Sequence, residues 1–124
     1  MRLLSVAVLA TVLFTTSVTS VQASSKHHFS PAVTAARDFA LKRIGATQFK
    51  CLDALWMRES SWNPKAHNKR SGAHGIPQAV PGAKMGKGWQ TDPMVQVRWG
   101  LKYIHGRYRT ACAALNHAYV TGWY

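Results

Sequence analysis

The sequence predicts a single, mainly α-helical domain behind a short N-terminal leader. The chain has 124 residues, which suits one small domain and leaves no room for two. Two dipeptides, Ser30-Pro31 and Asp92-Pro93, carry the N-cap residue and first-position proline that commonly open helices. Apolar residues recur at spacings of three and four after Thr47 and again after Asp92, as on helix faces.

The first 23 residues have the pattern of a secretory signal peptide. A mostly apolar run from Leu3 to Phe14 is followed by polar residues, and Val21-Gln22-Ala23 places small residues where a signal peptidase reads. An uncleaved anchor is the alternative, but the apolar run is short for a bilayer span. We therefore predict cleavage after Ala23, a secreted protein and no stable membrane anchor after cleavage.

Residues 24–45 are predicted to form a polar lead-in and a first helix, which Gly45 terminates. Residues 46–124 form the predicted main domain, and its first helix runs from a cap at Thr47 to about Ser60. Glycine and proline punctuate the segment between Asn63 and Asp92, which indicates turns, a small β element or functional loops.

Two further helices complete the prediction. The third opens at Asp92-Pro93, and its apolar stripe is Val97, Leu101, Ile104 and Tyr108. The fourth runs from about Ala111 to Tyr119.

The only two cysteines, Cys51 and Cys112, are predicted to form one disulfide in an exported protein. It would tie the second helix to the fourth and stabilise the fold by roughly 4 kcal/mol in the chain-entropy model. A zinc site built from these cysteines and two histidines is the alternative. The spacings typical of zinc motifs are missing, so the disulfide is favoured.

The formal net charge of +12 indicates a polyanionic partner or surface. Nucleic acid is one candidate, but an exported protein meets it rarely. A bacterial wall with its carboxylates and phosphate polymers fits better, so we expect no nucleic-acid partner.

Four acidic residues are present, and Glu59 is the only glutamate. Asp38 and Asp53 are expected on solvated helix faces, and Asp92 is expected to be an N-cap. Glu59 instead continues the apolar face of Phe49, Leu52, Leu55 and Trp56, near a helix C-terminus.

Both the apolar face and the helix dipole disfavour a charged Glu59 and raise its pKa. A carboxylic acid kept protonated near neutral pH can protonate a leaving oxygen. A structural salt bridge is the alternative role for Glu59.

Most glycosidases need a second carboxylate, and none of the other three acids is a clear candidate. A mechanism with one carboxyl group is therefore attractive. Peptidoglycan allows one, because the 6-hydroxyl of N-acetylmuramic acid can attack its own anomeric carbon and give a 1,6-anhydro sugar.

At this point the sequence resembles a known family. Glu59-Ser60-Ser61-Trp62-Asn63-Pro64 followed by Ser71-Gly72-Ala73-His74-Gly75-Ile76-Pro77-Gln78 resembles the signature of soluble lytic transglycosylases. The nearest likeness is to the actinobacterial branch and the related resuscitation-promoting factors. The resemblance covers about Thr47 to Tyr124. It is extended by further matching residues: Ala66, Asn68, Lys84-Met85, Trp89-Gln90-Thr91-Asp92-Pro93, Trp99 to Ile104 and Gly122-Trp123-Tyr124.

The resemblance implies a lysozyme-like fold, with a helical lobe and a small loop-rich lobe around a glycan cleft. It implies that Glu59 acts as acid and then as base. Ser60 would anchor the facing loop, and Gln78 would line the glycan groove.

The sequence departs from the family where many relatives carry an Ala-Tyr-Asn motif. Ala114-Leu115-Asn116 lacks that tyrosine, and Tyr103 or Tyr119 is a candidate replacement. The segment from Gly82 to Trp89 is short, and Arg109-Thr110-Ala111 replaces an expected turn before the second cysteine.

For several other aromatic residues the sequence leaves two structural roles open. Trp62, Trp89 and Trp123 are candidate groove residues or core anchors, whereas Trp56 and Trp99 are expected in the core. His74 and His117 line the cleft or serve as hydrogen-bonded structural histidines.

The sequence therefore predicts a monomeric peptidoglycan lytic transglycosylase without metal or cofactor. The predicted substrate-binding residues are Ser60, Gln78, Trp62, Tyr103 and His117. A hydrolytic muramidase on the same fold and a non-catalytic basic wall-binding protein are the alternatives.

Overall fold

The computed structural model describes residues 27–124 and confirms a mainly helical protein. The predicted signal peptide, 1–23, lies outside the described residues. Within 27–124 the regular elements are α1 (Pro31–Ser60), a 3₁₀ helix (Gly82–Met85), α2 (Pro93–Tyr108) and α3 (Ala111–Thr121). None of these helices has the length and apolar character that would let it cross a bilayer.

Helix α1 consists of two arms that meet at Gly45. The Ser30 side chain accepts a hydrogen bond from the Val33 backbone N–H at 3.3 Å, and Pro31 follows the cap as predicted. Gly45 has φ 80° and ψ 164°, a backbone conformation that a residue with a Cβ rarely adopts. The predicted interruption at Gly45 is confirmed, and the chain continues as a kinked helix. We call residues 31–44 the first arm and residues 46–60 the second arm.

The predicted start of α2 is also confirmed. The Asp92 carboxylate accepts from the backbone N–H of Met94 at 2.9 Å, which satisfies an otherwise unpaired helix donor. Helix α3 begins after Thr110, whose hydroxyl accepts from Ala113 N–H at 3.1 Å.

The core lies where α1, α2 and α3 meet. Both arms of α1 contribute to it, so residues 31–44 share one core with the segment after residue 46. Its largest fully buried side chains are Trp56, Trp62, Leu52, Leu55, Ile76, Gln96 and Val97. The predicted disulfide is confirmed: Cys51 and Cys112 are bonded, which joins the second arm of α1 to α3.

The glycine- and proline-rich segment folds as a loop-rich unit with two isolated antiparallel bridges, His67 to His74 and His74 to Ala79. Its centre is the fully buried Gln96 side chain of α2, which accepts from Ile76 N–H at 2.8 Å. The same amide donates to the carbonyls of Pro64 and Trp89, both at 2.8 Å. One buried polar side chain thus joins three parts of the loop to a helix.

Asp53 was expected on a solvated helix face, and this expectation is wrong. Its carboxylate pairs with Arg37 in the first arm and accepts from the Trp62 indole N–H at 2.8 Å. The Arg37 guanidinium also lies over the Trp62 ring, 4.6 Å from its centroid. The kink at Gly45 brings the two arms close enough for this contact, which sequence spacing does not reveal.

Candidate active site

Glu59 lies in the last turn of α1, partly buried beside the fully buried Trp56 and Leu55. Loss of hydration raises the pKa of its carboxyl group above 4.5, and the neighbouring Arg58 charge lowers it by a smaller amount. Among residues 27–124 its carboxylate has neither an ion pair nor a hydrogen bond, so the alternative structural salt bridge is not formed there.

The three other acids have different surroundings. Asp53 is committed to Arg37 and Trp62, and Asp92 caps α2. Asp38 is exposed on the first arm of α1. Within residues 27–124, Glu59 is therefore the acid whose carboxyl group is both partly desolvated and unpaired, an environment that favours its protonated form.

Two hydroxyl groups hold the loop that faces the end of α1. Ser60 Oγ donates to the Ile76 carbonyl at 2.8 Å, and Tyr124 Oη donates to the Pro77 carbonyl at 2.7 Å. These carbonyls belong to consecutive residues. The contact of Ser60 is the kind of loop anchor that the family resemblance implies.

The residue after this pair, Gln78, lines a cavity of about 400 Å³. The cavity is bounded by Pro77, Gln78, Ala79, Val80, Lys84, Trp99, Tyr103 and Tyr124. Gln78 has φ 57°, and its amide nitrogen donates to the Gly75 carbonyl at 2.9 Å, so its side chain is held by its own loop. The wall formed by α2 is aromatic, because Trp99 and Tyr103 stack with ring centroids 5.2 Å apart and planes 13° apart.

The stacked pair continues into a larger aromatic cluster that also holds the predicted site residue His117. The Tyr103 ring meets those of Tyr108 and Tyr124 at centroid distances of 6.4 and 6.0 Å. Tyr108 and Trp123 pack on the His117 ring at 5.2 and 4.6 Å. His117 Nε2 is buried without a hydrogen-bond partner in the described structure. Tyr103 and His117 therefore belong to one cluster, but His117 is not among the residues that line the cavity.

Tyr124 connects this cluster to Glu59, and it was not among the predicted site residues. Burial raises the pKa of its hydroxyl well above 10, and the nearby negative charge of Glu59 adds to the shift. The hydroxyl accepts from the Trp56 indole N–H at 2.8 Å. Neither Tyr103 nor Tyr119 has these contacts, and Tyr119 is 64% exposed. The sequence signal for Tyr124 is its place in Gly122-Trp123-Tyr124, a segment that extends the family resemblance.

The division of the tryptophans between the core and the cavity differs from the expectation. Trp62, a candidate substrate residue, is 1% exposed and bonded to Asp53, so the structure places it in the core and away from the cavity. Trp99 was expected in the core but lines the cavity. Trp89 packs against His74, and Trp123 is 51% exposed beside His117.

A larger cavity, of about 710 Å³, lies on another face of α2 and has a different character. Phe39, Ile44 and Leu101 give it an apolar lining, while Arg43, Arg98, Lys102 and His105 make it basic. Leu101, predicted on the apolar core stripe of α2, is thus part of this second cavity. Neither cavity has a carboxyl group in its own lining, but the smaller one includes Tyr124, whose hydroxyl senses the charge of Glu59.

No cluster of three or more histidine, cysteine or acidic side chains suited to a metal occurs within residues 27–124. No protein-family model matches the chain, and neither the curated proteins nor the solved structures give a match. Function is therefore inferred from the geometry of the site and from the motif resemblance.

Proposed function

We propose that this protein is a peptidoglycan lytic transglycosylase with Glu59 as its only acid and base. The observation that carries the proposal is the environment of Glu59: a desolvated, unpaired carboxyl group beside Tyr124, which lines an aromatic-walled cavity. Its substrate would be the β-1,4 bond between N-acetylmuramic acid and N-acetylglucosamine in a glycan strand.

In the first step protonated Glu59 gives its proton to the glycosidic oxygen, and the bond from that oxygen to the anomeric carbon breaks. The Glu59 carboxylate then accepts the proton of the 6-hydroxyl of the same N-acetylmuramic acid. The 6-oxygen bonds to the anomeric carbon, which forms the 1,6-anhydro ring. Glu59 ends the cycle protonated, and no water is consumed.

The surroundings of the other acids support this route over hydrolysis. A hydrolase with two carboxylates needs its second carboxylate within about 5–10 Å of the first, on the far side of the sugar. Asp53 is held by Arg37 and Trp62, and Asp92 is held by the start of α2. An intramolecular hydroxyl nucleophile removes the need for either of them.

The cavity suits a sugar chain in its chemistry. Trp99 and Tyr103 offer aromatic surface, Gln78 offers an amide, and Lys84 offers a positive charge toward the carboxylates of the wall. We further propose that the three helices form the helical lobe, and residues 61–92 the loop-rich lobe, of a lysozyme-like fold.

We also propose that the protein is secreted, associated with the cell wall and monomeric, and that its partner is peptidoglycan rather than nucleic acid. The disulfide supports an oxidising compartment. The net charge of +12 favours retention at an anionic wall, and added salt should weaken that retention.

The test is mass spectrometry of muropeptides released from purified peptidoglycan by wild type and by Glu59→Gln. Asp38→Asn is the matched control, because it neutralises an exposed acid on the same helix. Anhydro products from wild type and Asp38→Asn, but not from Glu59→Gln, are expected.

Two results would overturn the proposal. Products that carry an added water would make the protein a hydrolytic muramidase. Release of no products by wild type with a native circular dichroism spectrum would favour a non-catalytic wall-binding protein.

A further inference from the structure

Two histidines of the loop-rich unit face each other across its first β-bridge. His67 Nδ1 and His74 Nδ1 are 3.3 Å apart, and their ring centroids are 5.5 Å apart. The His67 side chain is exposed and the His74 side chain is half-buried, so the pair is open to solvent on one side. Neither residue lines the cavity beside Tyr124.

The separation of these nitrogens equals the span of two ligands on one tetrahedral metal. Two zinc–nitrogen bonds of about 2.0–2.1 Å at the tetrahedral angle place the nitrogens about 3.3–3.4 Å apart. Two ligands at a right angle, as in square-planar copper or nickel sites, would need a closer approach. We propose that His67 and His74 bind a Zn²⁺ ion through their Nδ1 atoms.

The hydrogen-bond partner of His74 determines which of its two ring nitrogens carries the proton. His74 Nε2 lies 2.9 Å from the Gln90 carbonyl, and because a carbonyl oxygen only accepts, this nitrogen carries the ring proton. Nδ1 of His74 is then unprotonated and available as a ligand. A histidine ligand whose other nitrogen donates to a carbonyl is a recurring feature of metal sites.

In the metal-free protein with both rings neutral, the proton between the two Nδ1 atoms belongs to His67, and Nε2 of His67 is unprotonated. For zinc to bind, this proton moves from Nδ1 to Nε2 of His67, so that both Nδ1 atoms present lone pairs and both rings stay neutral. The exchange is therefore one Zn²⁺ bound with no net proton released.

The backbone holds the pair in place before any metal arrives. His74 and Ala79 exchange two backbone hydrogen bonds, each of 3.0 Å. The edge of the Trp89 ring packs on His74 with centroids 4.9 Å apart. A preorganised ligand loses little conformational freedom on binding, which favours the metal complex.

The expected affinity for Zn²⁺ is limited because only two protein ligands are proposed. No third histidine, cysteine or acidic side chain joins this pair in the part of the chain that the structure describes, so water would complete the coordination shell. Lys65, Lys69 and Arg70 in the same loop add positive charge. Zinc should therefore bind more weakly than at four-ligand structural sites.

The experiment is isothermal titration of the untagged protein with zinc chloride at neutral pH, together with NMR of the imidazole nitrogens. One Zn²⁺ per chain is expected, with imidazole nitrogen shifts confined to the rings of His67 and His74. His67→Ala should weaken binding by more than the roughly tenfold loss caused by removing an outer-shell partner.

Two control variants test the assignment. His105→Ala removes an exposed histidine of α2, and the double variant His27→Ala/His28→Ala removes the exposed pair near the start of the described chain. Both should bind zinc as wild type does. Absence of saturable binding, or binding that survives in folded His67→Ala, would overturn the proposal. None of these outcomes depends on the proposed glycan cleavage.

Discussion

Replacing Tyr124 with phenylalanine would remove one oxygen atom and leave the aromatic ring in place. That oxygen accepts from the indole N–H of Trp56 and donates to the carbonyl of Pro77. Trp56 is 0% exposed and Pro77 is buried, so water cannot easily replace either bond. A buried polar group left unpaired costs about 1–3 kcal/mol, and two such groups give an expected loss of about 2–6 kcal/mol.

The assay is urea unfolding followed by tryptophan fluorescence and circular dichroism, with thermal melts in parallel. The urea midpoint should fall with an unchanged slope, because the surface exposed on unfolding stays the same. Each kcal/mol corresponds to roughly 4–8 °C in the melting temperature of a domain of this size.

Tyr119→Phe is the control, since Tyr119 is 64% exposed and a surface change of this kind usually stays within about 0.5 kcal/mol. If Tyr124→Phe changed stability no more than Tyr119→Phe, the buried hydrogen-bond chain from Trp56 to Pro77 would not contribute as argued.

Two further predictions concern Glu59 and the loop glycines. Burial raises the pKa of Glu59 above 4.5, so its favourable contribution is present at acidic pH and is lost as pH rises through the raised pKa. Glu59→Gln should therefore gain stability relative to wild type between acidic and neutral pH in urea unfolding, and a pH-independent difference would refute this. Gly75→Ala would place a Cβ 2.6 Å from the buried Gln96 side chain at φ +76°, whereas Gly72→Ala at φ +78° meets nothing within 4 Å. Gly72→Ala should lower the free energy of unfolding by about 1–2 kcal/mol through backbone strain alone. Gly75→Ala should lower it by about 1–3 kcal/mol more, because its Cβ would collide with Gln96. Equal decreases in the urea midpoint of the two variants would contradict the predicted collision.

Local chemistry explains the parts of the fold that the sequence predicted well. Ser30 and Asp92 cap helices because a side-chain oxygen there reaches an unpaired N–H one turn ahead, whatever the rest of the chain does. Gly45 interrupts α1 because glycine tolerates a positive φ. Only two cysteines were present, which left a single pairing.

The wrong expectations share a cause, which is that they depended on contacts between distant segments. Asp53 was assigned to solvent because helix periodicity describes one helix and not the arm folded against it. Trp99 faces a cavity that exists only once the loop has packed on α2, and Trp62 lies buried under Arg37.

The environment of Glu59 was foreseen in part. Its apolar neighbours on the same helix predicted the direction of its pKa shift, which the structure confirms. The Glu59 charge also raises the pKa of the Tyr124 hydroxyl, which lies 65 positions later in the chain, and no local pattern encodes that proximity.

The short segment Ile76-Pro77 is attached at three points. Its Ile76 N–H is held by Gln96 of α2, its Ile76 carbonyl by Ser60 of α1, and its Pro77 carbonyl by Tyr124 after α3. Three fixed points determine the tilt of a rigid body as well as its position. A displacement of any one of these helices would therefore change the orientation of the cavity wall at Gln78.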